Sequence, residues 1–324
     1  MQWAYPNEAS CKTAMREAVK NYGLLQGEAK RLKKWLKEEF EESKKYNNFV
    51  ESVWGGKVFD YDSISIEELP KISIITSVYD GDEFIEPFLE DITRQTIFEE
   101  KCELIMINAN SPGNEEEVIL KYQEKYPNNI VYKKLDDDPG IYGVWNMAIK
   151  MASGEFLTNA NLDDRRRKDS LQILSSYLFM NEDVSACYGQ NFVTFNPNET
   201  FEKNTSNGNI FTMMAHQSQK TAFPELNKEI LLFEGNLPHC MPMWRKNLHN
   251  KCGFFDETYK SAADWEFWLR CSFAGEKIKD VKEIIGLYYF NPKGLSTIDQ
   301  GQTNWRNIET NKVRQKYMLK NKVD

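Results

Sequence analysis

The stretch KISIITSVYDGD, Lys71–Asp82, decides how this 324-residue chain is read. Its first part is a continuous β-branched run, without the alternation of a strand that shows one face to water. Such a run suits a strand covered on both sides, as in a parallel sheet with helices on each face. It stops at Asp80-Gly81-Asp82, a turn signal. Helical spacing follows in EFIEPFLEDITRQT (Glu83–Thr96). Then come CELIMIN (Cys102–Asn108) as a strand, EEEVILKYQEKY (Glu115–Tyr126) as a helix and NIVYKKL (Asn129–Leu135) as a strand. GVWNMAIKMAS (Gly143–Ser153) reads as a helix and GEFLTNA (Gly154–Ala160) as a strand. This alternation predicts βαβ units with right-handed crossovers: an α/β fold with a mostly parallel central sheet flanked by helices. Ligands of such sheets sit at the carboxyl ends of the strands. The polar clusters Ser77–Asp80, Asn108–Ser111, Asp136–Gly140 and Asn161–Asp164 each follow a predicted strand or its turn.

Composition narrows the function classes. The chain is 41% hydrophobic with 13% aromatics, enough for a real core, and 41 basic against 49 acidic residues leave a net charge of −8. No stretch concentrates basic residues as a nucleic-acid reader does, so no nucleic-acid partner is expected. Six cysteines are scattered without a CxxC pair or zinc-ligand spacing, which reads as reduced thiols in a cytoplasmic protein. The opening MQWAYPNEASCK lacks a secretory pattern. No apolar run approaches the roughly 18 residues needed to span a bilayer. Peripheral association with the inner face of a membrane stays open.

The flanks differ from this core. In residues 1–66, Leu25, Ala29, Leu32, Leu36 and Phe40 recur three or four apart in LLQGEAKRLKKWLKEEFEESKKY, an amphipathic helix. It packs on the main domain or serves a partner or upstream domain. WGGKVFDYDS then reads as a linker. After residue 190 the alternation fades. NPNETFEKNTSNGN (Asn196–Asn209) has the composition of a lid or a disordered loop. SAADWEFWLRCSFAG (Ser261–Gly275) reads as a helix, EIIGLYYF (Glu283–Phe290) as a strand, and 301–324 as a C-terminal helix. The expected organisation is a helical extension (1–66) and a main domain (67–300) with a nucleotide-binding half (67–190) and an acceptor half (191–300).

A nucleotide-binding sheet usually cradles phosphate with a glycine-rich turn. Here SVYDGDEF has one glycine, and neither GxGxxG nor GxxxxGK[ST] occurs. A bound diphosphate would need a divalent cation held by carboxylates instead. NANLDD (Asn159–Asp164) offers adjacent carboxylates leaving a buried strand, which repel one another unless a cation or solvent relieves them. The competing reading is a helix N-cap before RRRKDSLQILSSYLF. On the residues alone both stand, and the three arginines are assigned to the following helix and its surface.

From Pro70 to about Ser296 several blocks in order resemble the family 2 glycosyltransferases of the GT-A fold: KISIITSVYDGDEFIEPFLEDITRQT, LIMINANSPGN, DPGIYGVWNMAIKMASGEFL, NLDD and SAADWEFWLR. The resemblance implies an inverting transferase that uses a nucleotide-diphosphate sugar, a UDP- or GDP-sugar, with Mn²⁺ or Mg²⁺. Its acceptor would be a glycan or lipid-linked glycan, by default in surface polysaccharide synthesis. Carried over residue by residue, Thr76, Ser77, Tyr79 and Asp80 would meet base and ribose. Asn108 matches the family's base-facing aspartate, a departure, and Asp138 and Asn146 match nucleotide-side residues. Asn161 replaces the first aspartate of the metal motif, so Asp163 would be the metal ligand and Asp164 its helper or a contact to the donor sugar. Asp264 matches the base, with Ala263 where many relatives have glutamate. A positioned carboxylate takes the acceptor hydroxyl's proton as attack proceeds, and the cation stabilises the leaving diphosphate.

Trp265 and Trp268 are carried as acceptor contacts, one expected to belong to the core and the other to stack on sugar. His239 is a candidate phosphate or acceptor contact, His216 a structural residue, and Arg270 the partner of a carboxylate. Two rivals stay open. A nucleotidyltransferase should carry a glycine-rich basic loop after the first strand, which SVYDGDEF lacks. A non-catalytic glycan-binding relative is suggested by Asn108, Asn161 and Ala263.

Overall fold

The structure is a computed structural model that describes residues 8–22, 26, 29–34, 61–211, 226–295, 297 and 305–320. The chain divides into two compact units, 1–60 and 61–324. In the first, α1 (Glu8–Lys20) is a helix whose Met15 and Val19 are exposed. Of the amphipathic run expected over 24–46, residues 26 and 29–34 are helical and the rest lies outside the described residues, as do His216 and the start of the WGGKVFDYDS linker.

The second unit is built on one eight-stranded sheet. Its strands are β1 (Ile72–Val78), β2 (Cys102–Asn108), β3 (Ile130–Lys134), β4 (Phe156–Asn159), β5 (Arg165–Arg166), β6 (Ala186–Thr194), β7 (Met243–Arg245) and β8 (Ile278–Tyr289), in the order β3-β2-β1-β4-β7-β6-β8-β5. The first four in that order pair in parallel. The helices α2 (Ile85–Thr93), α3 (Phe98–Lys101), α4 (Glu115–Lys125) and α5 (Gly140–Met151) make the crossovers between them. Chain order therefore reverses direction between β1 and β4, and the crevice at the carboxyl ends of these two strands is where such sheets bind ligands.

β1 bears out the reading of its sequence. Ile72, Ile74 and Val78 face one core with Phe88, Leu89 and Ile92 of α2, while Ile75 faces the other with Val144 and Ala148 of α5. Each isoleucine buried in this way contributes about 1.5–3 kcal/mol relative to an exposed one.

The far half of the sheet is mixed: β7 pairs antiparallel with β4 and with β6, β6 runs parallel to β8, and β5 pairs antiparallel to β8. Periodicity does not single out β5, β6 or β7. β7 has three residues, β5 has two, and β6 mixes a glycine and amides into its apolar positions, so none carries a clear period of two. Among the described residues the other α-helices of this unit are α6 (Ser170–Met180), α7 (Lys228–Glu234), α8 (Leu248–Cys252), α9 (Ala263–Phe273) and α10 (Trp305–Lys320).

Two expectations are corrected. Arg165 and Arg166 are not on a helix surface: both are buried in β5, against Leu287 and Gly286 of β8. Of the two readings of 196–209, the disordered one is corrected: the loop is ordered by Glu199, whose carboxylate accepts bonds from Thr194 Oγ1 (2.5 Å), Asn196 Nδ2 (3.2 Å) and Thr205 Oγ1 (2.8 Å). Among the described residues no helix is long and apolar enough to cross a membrane.

Candidate active site

The acidic turn after β4 is held from behind. Arg165 Nη1 donates to the carbonyls of Leu162 (2.8 Å) and Asp164 (2.7 Å), so one guanidinium spans the turn. Its Nη2 reaches Asn198 Oδ1 at 2.6 Å, and Asn198 donates to the Glu83 carbonyl at 2.9 Å. Arg166 donates to Thr158 Oγ1 and the Asn159 carbonyl, both at 2.8 Å, at the end of β4. Burial lowers the pKa of Arg166 to about 10, still far above neutrality. Gly81, just past β1, packs so closely that a Cβ there would collide with Leu162. The turn is thus wedged between the β1 turn and two buried guanidinium groups.

The two aspartates differ in their surroundings. Asp164 is buried. Its Oδ1 accepts the Tyr289 N–H (3.2 Å) and its Oδ2 accepts Asn161 Nδ2 (3.0 Å). Burial pushes its carboxyl well above the usual range and the charge of Asp163 adds to this, while the bonds from Asn161 and Tyr289 and the charge of Arg165 oppose it. Asp163 is half-buried and accepts Asn291 Nδ2 at 3.0 Å on Oδ2. Neither residue caps a helix, because α6 begins at Ser170 with Asp169 at its N-cap.

A cleft of about 710 Å³ brings this turn together with Asp264. Asp264 stands in the first turn of α9 and is half-buried. Its Oδ1 accepts the Tyr142 hydroxyl (3.1 Å) and the Trp265 N–H (2.8 Å), and its Oδ2 accepts Asn236 Nδ2 (2.7 Å). Burial raises its pKa above the ordinary aspartate value, with these donors working in the other direction. Burial also holds the Tyr142 hydroxyl well above the usual tyrosine range, so it stays a donor. A base that must be ionised works above its pKa. Tyr142→Phe removes a donor that favours the carboxylate, so the acidic limb of the pH–rate profile is expected to move to higher pH. An unmoved limb would mean that another group titrates.

Of the residues expected at the site, Ser77, Tyr79, Asp80, Asp138, Asn161, Asp163, Asp164, His239 and Asp264 line this cleft. Asp80 and His239 hold left-handed backbone, at φ 48° and 38°, and the His239 ring stacks on Phe211 with centroids 3.7 Å apart. Five others lie outside the cleft lining. Strand alternation turns Thr76 into the core, where it is fully buried. Asn108 spends its carbonyl on the Ser111 N–H at 2.8 Å, shaping the turn after β2. Asn146 bridges α5 to Phe255 and Glu257, exchanging bonds with the Phe255 backbone at 2.9 and 3.0 Å. Trp265 donates Nε1 to the Leu231 carbonyl at 2.8 Å, and Trp268 packs edge-on against Trp244 with centroids 5.6 Å apart. Both tryptophans are core, so neither is a sugar platform. Arg270 pairs with Glu266 at 2.7 Å, the carboxylate partner expected of it.

Other residues at the site escape a sequence reading: Tyr142, Asn291, Lys260 and Lys293 in the cleft lining, and Asn236 behind Asp264. Asn291 lies 128 residues from its partner, and no local pattern marks such a pairing. Tyr142 does stand inside the DPGIYGVWN block. Among the described residues no group of three or more His, Cys, Asp or Glu is arranged to hold a metal ion.

Residues 73–253, more than half of the chain, match the family model described as glycosyl transferase family 2. The chain belongs to glycosyl transferase family 2. Asp264 lies beyond the matched residues. Among curated relatives of this family 2 chain, the minor teichoic acid biosynthesis protein GgaB of Bacillus subtilis is 33% identical over 108 residues, 33% of this chain and 11% of the relative. The poly(ribitol-phosphate) beta-glucosyltransferase of Bacillus spizizenii is 30% identical over 115 residues, 36% and 18% of the two chains. The matches thus span less than a fifth of those relatives. Among solved structures, S. aureus TarS in complex with UDP-GlcNAc has a TM-score of 0.54 at 20% identity, covering 68% of this chain and 59% of that one. A mannosyltransferase of Pyrobaculum calidifontis in complex with GDP-Man and Mn²⁺ gives 0.54 at 14%, covering 70% and 59%. These likenesses show the fold, and the GT-A architecture expected from the sequence is the one observed.

Proposed function

We propose that this family 2 chain is an inverting glycosyltransferase that moves a sugar from a UDP- or GDP-sugar to a hydroxyl of a cell-surface polymer. The observation that carries the reading is one cleft lined by both Asp163 and Asp264. Asp264 takes the proton of the acceptor hydroxyl. That oxygen bonds to the anomeric carbon as the bond to the diphosphate breaks, and the nucleoside diphosphate leaves with the electron pair. Tyr142 and Asn236 orient the carboxylate by bonding one oxygen each.

Charge in the cleft supports a cation. The lining carries Asp80, Asp82, Glu83, Asp138, Asp163 and Asp264 against Lys260 and Lys293, while burial pushes Asp164 toward its neutral form. A diphosphate entering such a wall meets repulsion unless positive charge comes with it. Asp163 fits a cation of the Mn²⁺ or Mg²⁺ kind: its carboxylate lines the cleft and is oriented by Asn291, and such cations take most of their ligands from phosphate and water. When bound, the cation would stabilise charge on the leaving diphosphate. Asp164, with both oxygens already accepting bonds, would support the turn rather than the ion.

The teichoic acid relatives suggest a polyol-phosphate polymer as acceptor, within the class of surface polysaccharides. Residues 1–60 would then serve as an attachment to a partner or a further domain, and the protein would work on the cytoplasmic side. A thermal-shift screen of UDP-GlcNAc, UDP-glucose and GDP-mannose, each with and without Mn²⁺, tests the donor. A rise in melting temperature that requires both sugar nucleotide and metal is expected. No response to any of them would count against the reading.

A further inference from the structure

We infer that Glu309, on the C-terminal helix α10, is a positioning residue for the base and holds the segment 260–264 in its catalytic geometry. This rests on the reading of Asp264 as the base. Glu309 is 9% exposed. Its Oε1 accepts the Lys260 N–H at 2.6 Å, and its Oε2 accepts the Ser261 N–H at 3.0 Å. Both bonds go to backbone, and Lys260, Ser261 and Asp264 all line the cleft. One carboxylate therefore grips two successive peptide groups immediately before α9.

The same helix holds the far side of Asp264. Glu266 is fully buried, and its Oε1 accepts Lys316 Nζ and the Tyr317 hydroxyl, each at 2.7 Å. Asp264 thus lies between two anchor points, 261 and 266, that α10 sets. Val313, between Glu309 and Lys316 on α10, and Tyr317 itself are fully buried, so the helix is packed down and not merely tethered.

Buried carboxyl groups are costly unless hydrogen-bonded. At Glu309 the bonds go to the two peptide N–H groups of a segment that must stay open to substrate on its other side. That segment has no regular structure of its own between Tyr259 and α9. Its placement is therefore supplied from outside, by α10. The nucleotide side of the cleft, at the ends of β1 and β4, is built from other elements. Loss of the grip is predicted to affect the transfer step more than nucleotide binding.

The test measures kcat for nucleotide release from a sugar nucleotide that the protein turns over, together with UDP or GDP affinity by calorimetry. Glu309→Ala is expected to lower kcat by roughly 10- to 100-fold, the scale of a misplacement of about an ångström, with nucleotide Kd within about twofold. Glu309→Gln keeps one acceptor oxygen and should fall between Glu309→Ala and the parent protein, and it remains informative if the alanine variant does not fold. Ile308→Ala, an exposed neighbour on the same helix, serves as control with unchanged kcat. Unchanged kcat in both Glu309 variants, or kcat and affinity falling together, would overturn the inference. Asp264→Asn is run beside them. If it keeps full activity, the base assignment itself is wrong. If it is inactive while the Glu309 variants are normal, only the positioning role is lost.

Discussion

Asp264→Asn is expected to lower sugar transfer by about 10²–10⁴-fold, the usual contribution of a positioned general base. Nucleotide affinity should stay close to that of the parent protein, because the β1 and β4 ends are untouched. The fold should not suffer either. The folded-state pKa of Asp264 is raised by burial, so its contribution to stability is full below the unfolded value and is lost as pH rises through the folded value. Above the unfolded value the raised pKa is a cost to stability that asparagine removes. The neighbours can adapt, since Asn236 can present its carbonyl oxygen and the Tyr142 hydroxyl can rotate. The variant should therefore melt at or above the parent's temperature at pH 7, with the difference shrinking at low pH. Low activity with undiminished stability is the signature of a residue kept for chemistry. A variant that is active, or inactive only because it unfolds, would remove Asp264 from the reaction.

The second large effect is expected at the acidic turn. Asp163→Asn keeps an oxygen that can accept Asn291 Nδ2, so the turn should persist, but the charge facing the cleft is gone. With Mn²⁺ supplied, transfer should drop by at least about 10²-fold, since a cation at the leaving group is worth several kcal/mol. The metal-dependent part of the UDP- or GDP-induced thermal shift should vanish with it. Asp164→Asn should act differently. That side chain is buried and bonded to the Tyr289 N–H and to Asn161, so its loss should appear mainly in stability. If the metal response survives in Asp163→Asn and disappears in Asp164→Asn, the two roles are reversed.

Much of this architecture is legible in the chain. A run such as Ile72–Val78, apolar on both faces, can hardly be placed except in the middle of a covered sheet, and the helix-spaced segments after it supply the cover. The same pattern puts the polar clusters at strand ends, which is why Ser77, Asp80, Asp163 and Asp138 reach the cleft. Local pattern fails where one residue has two possible neighbours. Thr76 and Ser77 are adjacent in sequence, but a strand sends them to opposite faces and only Ser77 lines the cleft. Trp265 and Trp268 follow a catalytic candidate on a helix, yet both are drawn into the core by α7 and β7. The arginine run looks like a charged helix surface, and it becomes a buried strand because the far edge of the sheet accepts it at β8.

Sequence by itself determined the parallel half of the sheet, its helical cover, and the residue types able to carry charge at its edge. These follow from hydrophobic periodicity, a property of neighbours along the chain. Tertiary structure alone decided which carboxylates meet. The pairing of Asp264 with Tyr142, 122 residues away, and of Asp163 with Asn291, 128 residues away, depends on chain closure over long distances, which no local pattern encodes. It also decided which aspartate is spent inside the protein and which one faces the cleft. That difference is set by burial and by the hydrogen bonds from Asn161 and the Tyr289 N–H of β8, and two adjacent letters in a sequence cannot express it.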